Sequence, residues 1–296
     1  MTSPARGRRN ALLMLGSGLL ASAIDREPAS AQGQQGAQQT PKRIFVTGSS
    51  EGIGLAAARR LIEMGHHVVL HGRNRKRADD AMAAAPGCET AVIGDVSVIA
   101  ETRSLAAQVN RIGRCDAVIH NVGIGGRAAA EKTADGLPPI FAVNTLAPYI
   151  LTALIERPKR LVYVSSSVHR GVTLDPGDLT YASRQWNGWD AYAESKLQDV
   201  LLAFAVARRW PNVFSNAMDP GWVPTQMGGA GAPGSVAEGA ETEVWLAVSD
   251  DAAAQLSGRF FYHRREQPPN PAARNLELQD KLLAACERIS GVALPA

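Results

Sequence analysis

Six short, mostly apolar runs recur along the chain: RIFVT (43–47), HVVLH (67–71), TAVIG (90–94), DAVIH (116–120), RLVYVS (160–165) and VFSNAM (213–218). Nearly every interval between them is long enough for a helix. This alternation constrains the fold more than any other feature, because strands joined through helical crossovers run parallel and a parallel sheet must be covered on both faces. No internal repeat and no proline-rich hinge interrupts residues 41–296. The pattern predicts one doubly wound α/β domain with helices on both sides of a parallel sheet.

Composition agrees with a folded chain and narrows its partners. With 45% hydrophobic and 20% charged residues among 296, there is material for one sizeable core. Of the formal charge of +3, the first 31 residues hold four arginines against two acids, which leaves 27 basic and 26 acidic residues for the rest. The only local basic run, RNRKR from Arg73 to Arg77, is too short for a nucleic-acid-binding face. Cys88, Cys115 and Cys286 lie far apart without zinc-type spacing, so neither a disulfide framework nor a metal site is expected.

The amino terminus has a different character. Charged ARGRRN precedes fourteen uncharged residues, ALLMLGSGLLASAI, and PASAQ follows with Ala29 and Ala31 placed for cleavage, the layout of an export signal over residues 1–31. A spanning helix needs about 20 residues, so no stable membrane span is expected. Arg8 and Arg9 resemble a twin-arginine leader, although Gly7 and Ala11 depart from its usual flanks. The expectation is export to a periplasm or cell envelope; a disordered tail on a cytoplasmic protein is the alternative. QGQQGAQQT (32–40) has five glutamines and reads as a disordered linker.

VTGSSEGIG (46–54) falls between the first strand and the first helix. Glycines there let backbone N–H groups at a helix N-terminus approach an anion, which makes a pyrophosphate seat, although a tight turn with close packing uses the same residues. In WDAYAESKLQDVLLAFAVARRW, Tyr192 and Lys196 are four apart and share one helix face, with Leu197, Val200, Leu201 and Phe204 as an apolar stripe. An ammonium beside a phenol of ordinary pKa ~10 favours the phenolate and readies it for proton transfer. A half-buried tyrosine next to a surface lysine is the plain alternative.

VTGSSEGIG, DAVIHNVG, FAVNTLAPYIL, LVYVSSS, YAESK and DPGWVPT occur in the order and spacing of the short-chain dehydrogenase/reductase family, and the chain resembles that family from about Lys42 to about His263. The resemblance implies a Rossmann-type domain, hydride transfer between NADP(H) or NAD(H) and a small-molecule carbonyl or alcohol, and a tetrad. In the tetrad Asn144 supports a water and the lysine, and Ser166 hydrogen-bonds the substrate oxygen, with Ser165 and Ser167 as rivals. Tyr192 exchanges the proton, and Lys196 binds ribose and lowers the tyrosine pKa.

Further implied cofactor positions are Gly48, Ser50, Glu51, Gly52, Ile53 and Gly54 in the glycine turn, Asp95 and Val96 at the adenine, Asn121 and Gly123 further along, and Pro220, Gly221 and Val223 in DPGWV. Arg73 and Asn74 follow the second strand where an acidic residue would select NAD, so NADP is expected over NAD. A non-catalytic NADP(H) sensor or assembly module is the alternative from another class, and a homo-oligomer is left open. His120 replaces the first asparagine of the usual N-N-A-G and receives no role. Between Ser166 and Tyr192 lies a long loop, as in the retinol-dehydrogenase-like branch, whose Trp186 and Trp189 either wall the substrate or anchor the loop.

Overall fold

The computed structural model describes residues 40–128 and 131–296, so the expected export leader and nearly all of the expected linker lie outside the described residues. From residue 40 onward the chain forms one compact unit. The six expected strands are all present: β1 (Arg43–Val46), β2 (His67–Gly72), β3 (Thr90–Ile93), β4 (Ala117–His120), β5 (Arg160–Val164) and β6 (Phe214–Asp219). Two more close the edge, β7 (Phe260–Tyr262) and β8 (Arg265–Glu266), giving the order β3-β2-β1-β4-β5-β6-β7-β8. Strands β1 to β7 pair in parallel and β8 folds back antiparallel on β7. With three and two residues, the last two strands are too short to register as apolar runs in the sequence.

Among the described residues, eight α-helices cover the sheet. On one face lie α1 (Gly52–Glu63), α2 (Arg75–Ala84) and α7 (Val236–Val248), around a core that includes Ile44, Leu61, Leu70, Ile119 and Trp245. On the other lie α3 (Ile99–Ile112), α6 (Gly188–Arg209), α8 (Leu276–Ser290) and a composite helix. The composite begins as α4 (Pro139–Phe141), widens to a π-turn at Ala142–Leu146 and continues as α5 (Ala147–Leu154). The expected stripe of α6 is fully or nearly buried at Leu197, Val200, Leu201 and Phe204. Each such side chain contributes about 1.5–3 kcal/mol relative to exposure. Connections from β1 lead outward to β2 and β3, and β4 returns to the other side of β1, so a crevice opens at the carboxyl ends of β1 and β4.

Among the described residues, no helix is long and apolar enough to cross a membrane, and no cluster of His, Cys, Asp or Glu could hold a metal ion. All three cysteines are free thiols.

One buried acid stands apart. Glu243 on α7 is fully buried, and neither carboxylate oxygen has a hydrogen-bond partner. Burial pushes its pKa up from 4.5 to about 8, so the carboxyl is neutral in the folded protein at pH 7. Because the folded state holds this proton more tightly than the unfolded chain, the contribution to stability is full below pH 4.5 and is lost as pH rises toward about 8. Replacing Glu243 by Met is expected to flatten that dependence and to raise stability at neutral pH by about 1–3 kcal/mol; urea unfolding at pH 5, 7 and 9 checks both, and an unchanged slope between pH 5 and 9 overturns the assignment.

Candidate active site

Where β1 ends, the chain turns on Gly48 and Gly52, both at positive φ (64° and 59°), before α1 begins. Thr47 and Asn121 fasten this turn to the end of β4. The Thr47 hydroxyl accepts from the N–H groups of Asn121 and Val122, each at 3.0 Å. The Asn121 amide donates to the carbonyls of Thr47 and Gly48 at 2.9 and 3.2 Å. His71 at the end of β2 bonds across the same turn: Nδ1 accepts from Gly48 N–H at 3.0 Å and Nε2 donates to Gly94 O at 2.9 Å. Burial lowers its pKa, which keeps the ring neutral in that tautomer.

These glycines open onto a cavity of about 970 Å³ in the crevice. Of the sequence-predicted cofactor positions, Gly48, Ser50, Glu51, Gly52, Ile53, Arg73, Asp95, Val96, Asn121, Gly123, Tyr192, Lys196 and Pro220 line it. Gly54, Asn74, Gly221 and Val223 do not. A Cβ on Gly54 would strike the Asn121 amide and come within 2.6 Å of Gly48 O, so this glycine serves the turn's packing. Asn74 caps α2, its Oδ1 accepting from Arg77 N–H at 2.9 Å. Gly221 takes a positive φ of 82° after Pro220, and Val223 is buried against the position a Gly239 Cβ would occupy.

Side-chain caps close the N-termini of α2, α6, α7 and α8 through Asn74, Asn187, Ser235 and Asn275, and Asp135 accepts from Ile99 N–H at the start of α3. At α1, Glu51 provides no cap and the first turn carries no acid, although Gly52 and Ile53 face the cavity. This helix end is thus left open toward the cavity, with the positive pole of its dipole directed there.

On the opposite wall, α6 presents Tyr192 and Lys196 one turn apart, with the ammonium 5.8 Å from the phenol ring centre. Lys196 Nζ donates to Val164 O at 2.8 Å and to Asp199 Oδ2 at 2.9 Å. Burial alone would lower the lysine pKa, but Asp199 and then Tyr192 outweigh it and raise the value. Burial pushes Asp199 up to about 6 against the pull of Lys196.

Asn144 sits fully buried in the π-turn, off the cavity wall, donating to Ile124 O and Ser195 Oγ at 3.0 Å and accepting from Ile124 N–H at 2.9 Å. It makes no direct bond to Lys196, but both side chains would lie about 3.5 Å from a Cβ on Gly123, at 3.5 and 3.6 Å. Among the three serines, Ser165 lines the cavity but gives its hydroxyl proton to Lys196 O at 2.6 Å, and Ser167 is exposed. Ser166 lies just off the lining, half-buried, with its oxygen accepting weakly from Val168 N–H at 3.5 Å and its proton uncommitted. His169 holds this segment, Nδ1 donating to Ser166 O at 2.5 Å and Nε2 accepting from Asn270 N–H at 3.1 Å.

The two tryptophans are placed differently. Trp186 packs edge-on against Tyr181 at 5.1 Å and anchors the loop. There Arg184 forks onto Glu194 at 2.7 and 3.1 Å, reaches Asp178 at 3.3 Å and covers the Tyr181 ring at 4.0 Å. Trp189, at the start of α6, is 62% exposed, stands over Gly126 and lies 6.3 Å from the Tyr192 ring. His120 is structural: Nε2 meets Thr152 Oγ1 at 3.0 Å, the ring lies against Tyr163, and burial pushes its pKa down to about 3.

Sequence reading missed His71, Arg59, Arg77, Thr225, Gln226 and Met227, of which all line the cavity. DPGWVPT pointed toward the last three, whereas His71 carried no signal beyond its place at a strand end.

Comparison with known proteins supplies an independent finding. A family model described as short chain dehydrogenase matches residues 42–175. An uncharacterized oxidoreductase of Emericella nidulans is 46% identical over 86% of this chain and 98% of its own. The short-chain dehydrogenase chry4 of Gibberella zeae is 39% identical over 86% of this chain and 99% of its own. A solved structure of an uncharacterized protein from Mycobacterium paratuberculosis superposes with a TM-score of 0.75 at 25% identity, covering 86% of this chain and 95% of that one.

Replacing Gly54 by Ala is expected to push apart the Asn121 and Gly48 bonds and to lower stability by about 1–3 kcal/mol, measurable by urea unfolding. Wild-type stability in that variant would show that the turn yields without cost.

Proposed function

The chain belongs to the short-chain dehydrogenase family, and we propose that within it this protein exchanges hydride between NADP(H) and a carbonyl or alcohol, with Tyr192 as proton donor and acceptor. The observation that carries this reading is the meeting, in one cavity, of an uncapped α1 N-terminus and the Tyr192–Lys196 pair on α6. A dinucleotide fits the residues present: a pyrophosphate suits the open helix end, and glycine at 48 and 52 gives the backbone its close approach. When bound, the nicotinamide supplies or takes the hydride.

The chain's own residues manage the charge that results. As hydride reaches a carbonyl carbon, negative charge grows on the oxygen, and preplaced donors stabilise it at least reorganisation cost. Ser166 has an uncommitted hydroxyl proton for that oxygen, whereas the proton of Ser165 is held by Lys196 O. Tyr192 then transfers its proton, and alcohol oxidation follows the same path reversed. Exposed Trp189, over Gly126, and Met227, over neighbouring Gly125, leave apolar surface near these groups.

Preference for NADP is supported by Arg59, Arg73 and Arg77 in the lining against the acids Glu51 and Asp95. Arg77 is paired with Glu51 at 3.1 Å, whereas Arg73 is exposed and makes no hydrogen bond or ion pair among the described residues. It is the cation most available to an additional phosphate.

Following NADPH absorbance over a panel of aldehydes and ketones tests the activity; binding without turnover of any of them would turn the reading toward a sensor. Tyr192→Phe is expected to lower kcat by on the order of a hundredfold or more while cofactor affinity, read by fluorescence titration, stays near wild type. Arg73→Ala should weaken NADP binding by roughly tenfold or more and leave NAD almost unchanged; equal losses for both would make Arg73 a support of the loop.

A further inference from the structure

We propose that Asp199 is a positioning residue for proton transfer at Tyr192: its buried carboxylate fixes the Lys196 ammonium against β5 and offsets part of that cation's field at the phenol, which biases the site toward giving a proton over taking one. This rests on the assignment of Tyr192 as proton donor.

The geometry is a single helical stripe. Tyr192, Lys196 and Asp199 fall at successive turns of α6, so the three side chains share one face. Lys196 and Asp199 are 4% and 3% exposed and joined at 2.9 Å. Two of the three ammonium hydrogens are committed, one to Asp199 and one to Val164 O, which leaves one for the cavity that Lys196 lines. Seen from Tyr192, the lysine is therefore half of a dipole whose negative end lies farther along α6. Its field falls off faster than that of a lone cation.

Other groups facing the pair do not replace Asp199. Asp219 at the end of β6 adds an attraction for Lys196, but its two oxygens already accept from Ser167 N–H and Gly221 N–H, both at 2.8 Å. Tyr163 of β5 senses Asp199 but shares its hydroxyl with Thr152 at 2.7 Å. Glu194 on α6 is taken by Arg184. Asn144, from the π-turn, is uncharged. Asp199 is the carboxylate in direct contact with the ammonium.

Asp199→Asn separates charge from contact, since the amide oxygen still accepts from Lys196 Nζ while the negative charge is gone. Phenolate formation at Tyr192 can be followed without turnover, as the near-ultraviolet difference between each protein and its Tyr192→Phe counterpart. In Asp199→Asn the midpoint is expected to move to lower pH by about one unit or more, and the alkaline fall of kcat for carbonyl reduction should move with it. Asp199→Glu, which restores a carboxylate, should return the midpoint most of the way. Near-UV circular dichroism checks folding, and if the asparagine variant does not fold, Asp199→Ser, neutral and small enough to admit water, is read in the same way. A midpoint that stays in place, or moves upward, overturns the proposal. Failure of the enzymatic reading would show separately, as absence of turnover in the wild type with the phenolate shift still present.

Discussion

A side-chain amide holds the crevice in shape. Asn121 leaves the end of β4, takes the carbonyls of Thr47 and Gly48 as acceptors and accepts no bulk at residue 54, because an added methyl there would occupy the amide's own position. The turn that opens the cavity is thus bound to the neighbouring strand before it becomes α1. Thr47 doubles the fastening through its hydroxyl, and His71 extends it to the end of β2. Three consecutive strands of the sheet, β2, β1 and β4, are thus tied at their carboxyl ends by the side chains of His71, Thr47 and Asn121. The first turn of α1 that follows is left without a cap, facing the cavity.

Much of this was legible in the sequence, for physical reasons. Strands buried on both faces must be apolar throughout, so RLVYV and AVIH stand out, whereas FFY and RE are too short to contrast with their surroundings. Tyr192 and Lys196 could be found because helical spacing places them together wherever the helix lies. Asp199 falls on the same stripe yet reads as an ordinary helical acid, since nothing local says that its position is buried. His71 was invisible for a similar reason: its two bonds go to Gly48 and Gly94, each 23 residues away. Asn74 differs in another way: placement after β2 points to a ligand, while the structure uses its side chain to start α2.

Buried ionisable groups in this molecule are handled in three different ways. His71 and His120 stay neutral and serve as fixed donors or acceptors. Glu243 stays neutral with no partner at all. Lys196 carries its charge in depth, where an unpaired ammonium is costly, beside a carboxylate and beneath a strand carbonyl, as buried Arg160 does among the carbonyls of Leu246, Ser249 and Ala254. Each of these buried charges is compensated, and that of Lys196 is the one that touches the cavity.

The clamp made by Arg184 bears on how the site responds to its medium. Exposed pairs such as Lys76–Asp80 and Lys281–Glu277 meet in water, where dissolved ions screen them over roughly 10 Å at about 0.1 M ionic strength. Glu194 and Asp178, by contrast, have side chains only 8% and 7% exposed, and the guanidinium between them lies on an aromatic ring. With the carboxylates this buried, screening acts on the pairs chiefly through the one-third-exposed guanidinium. Brine that erases the outer ion pairs would therefore act more weakly on this clamp, so the loop leading into α6 is held across salinities that loosen the exposed pairs.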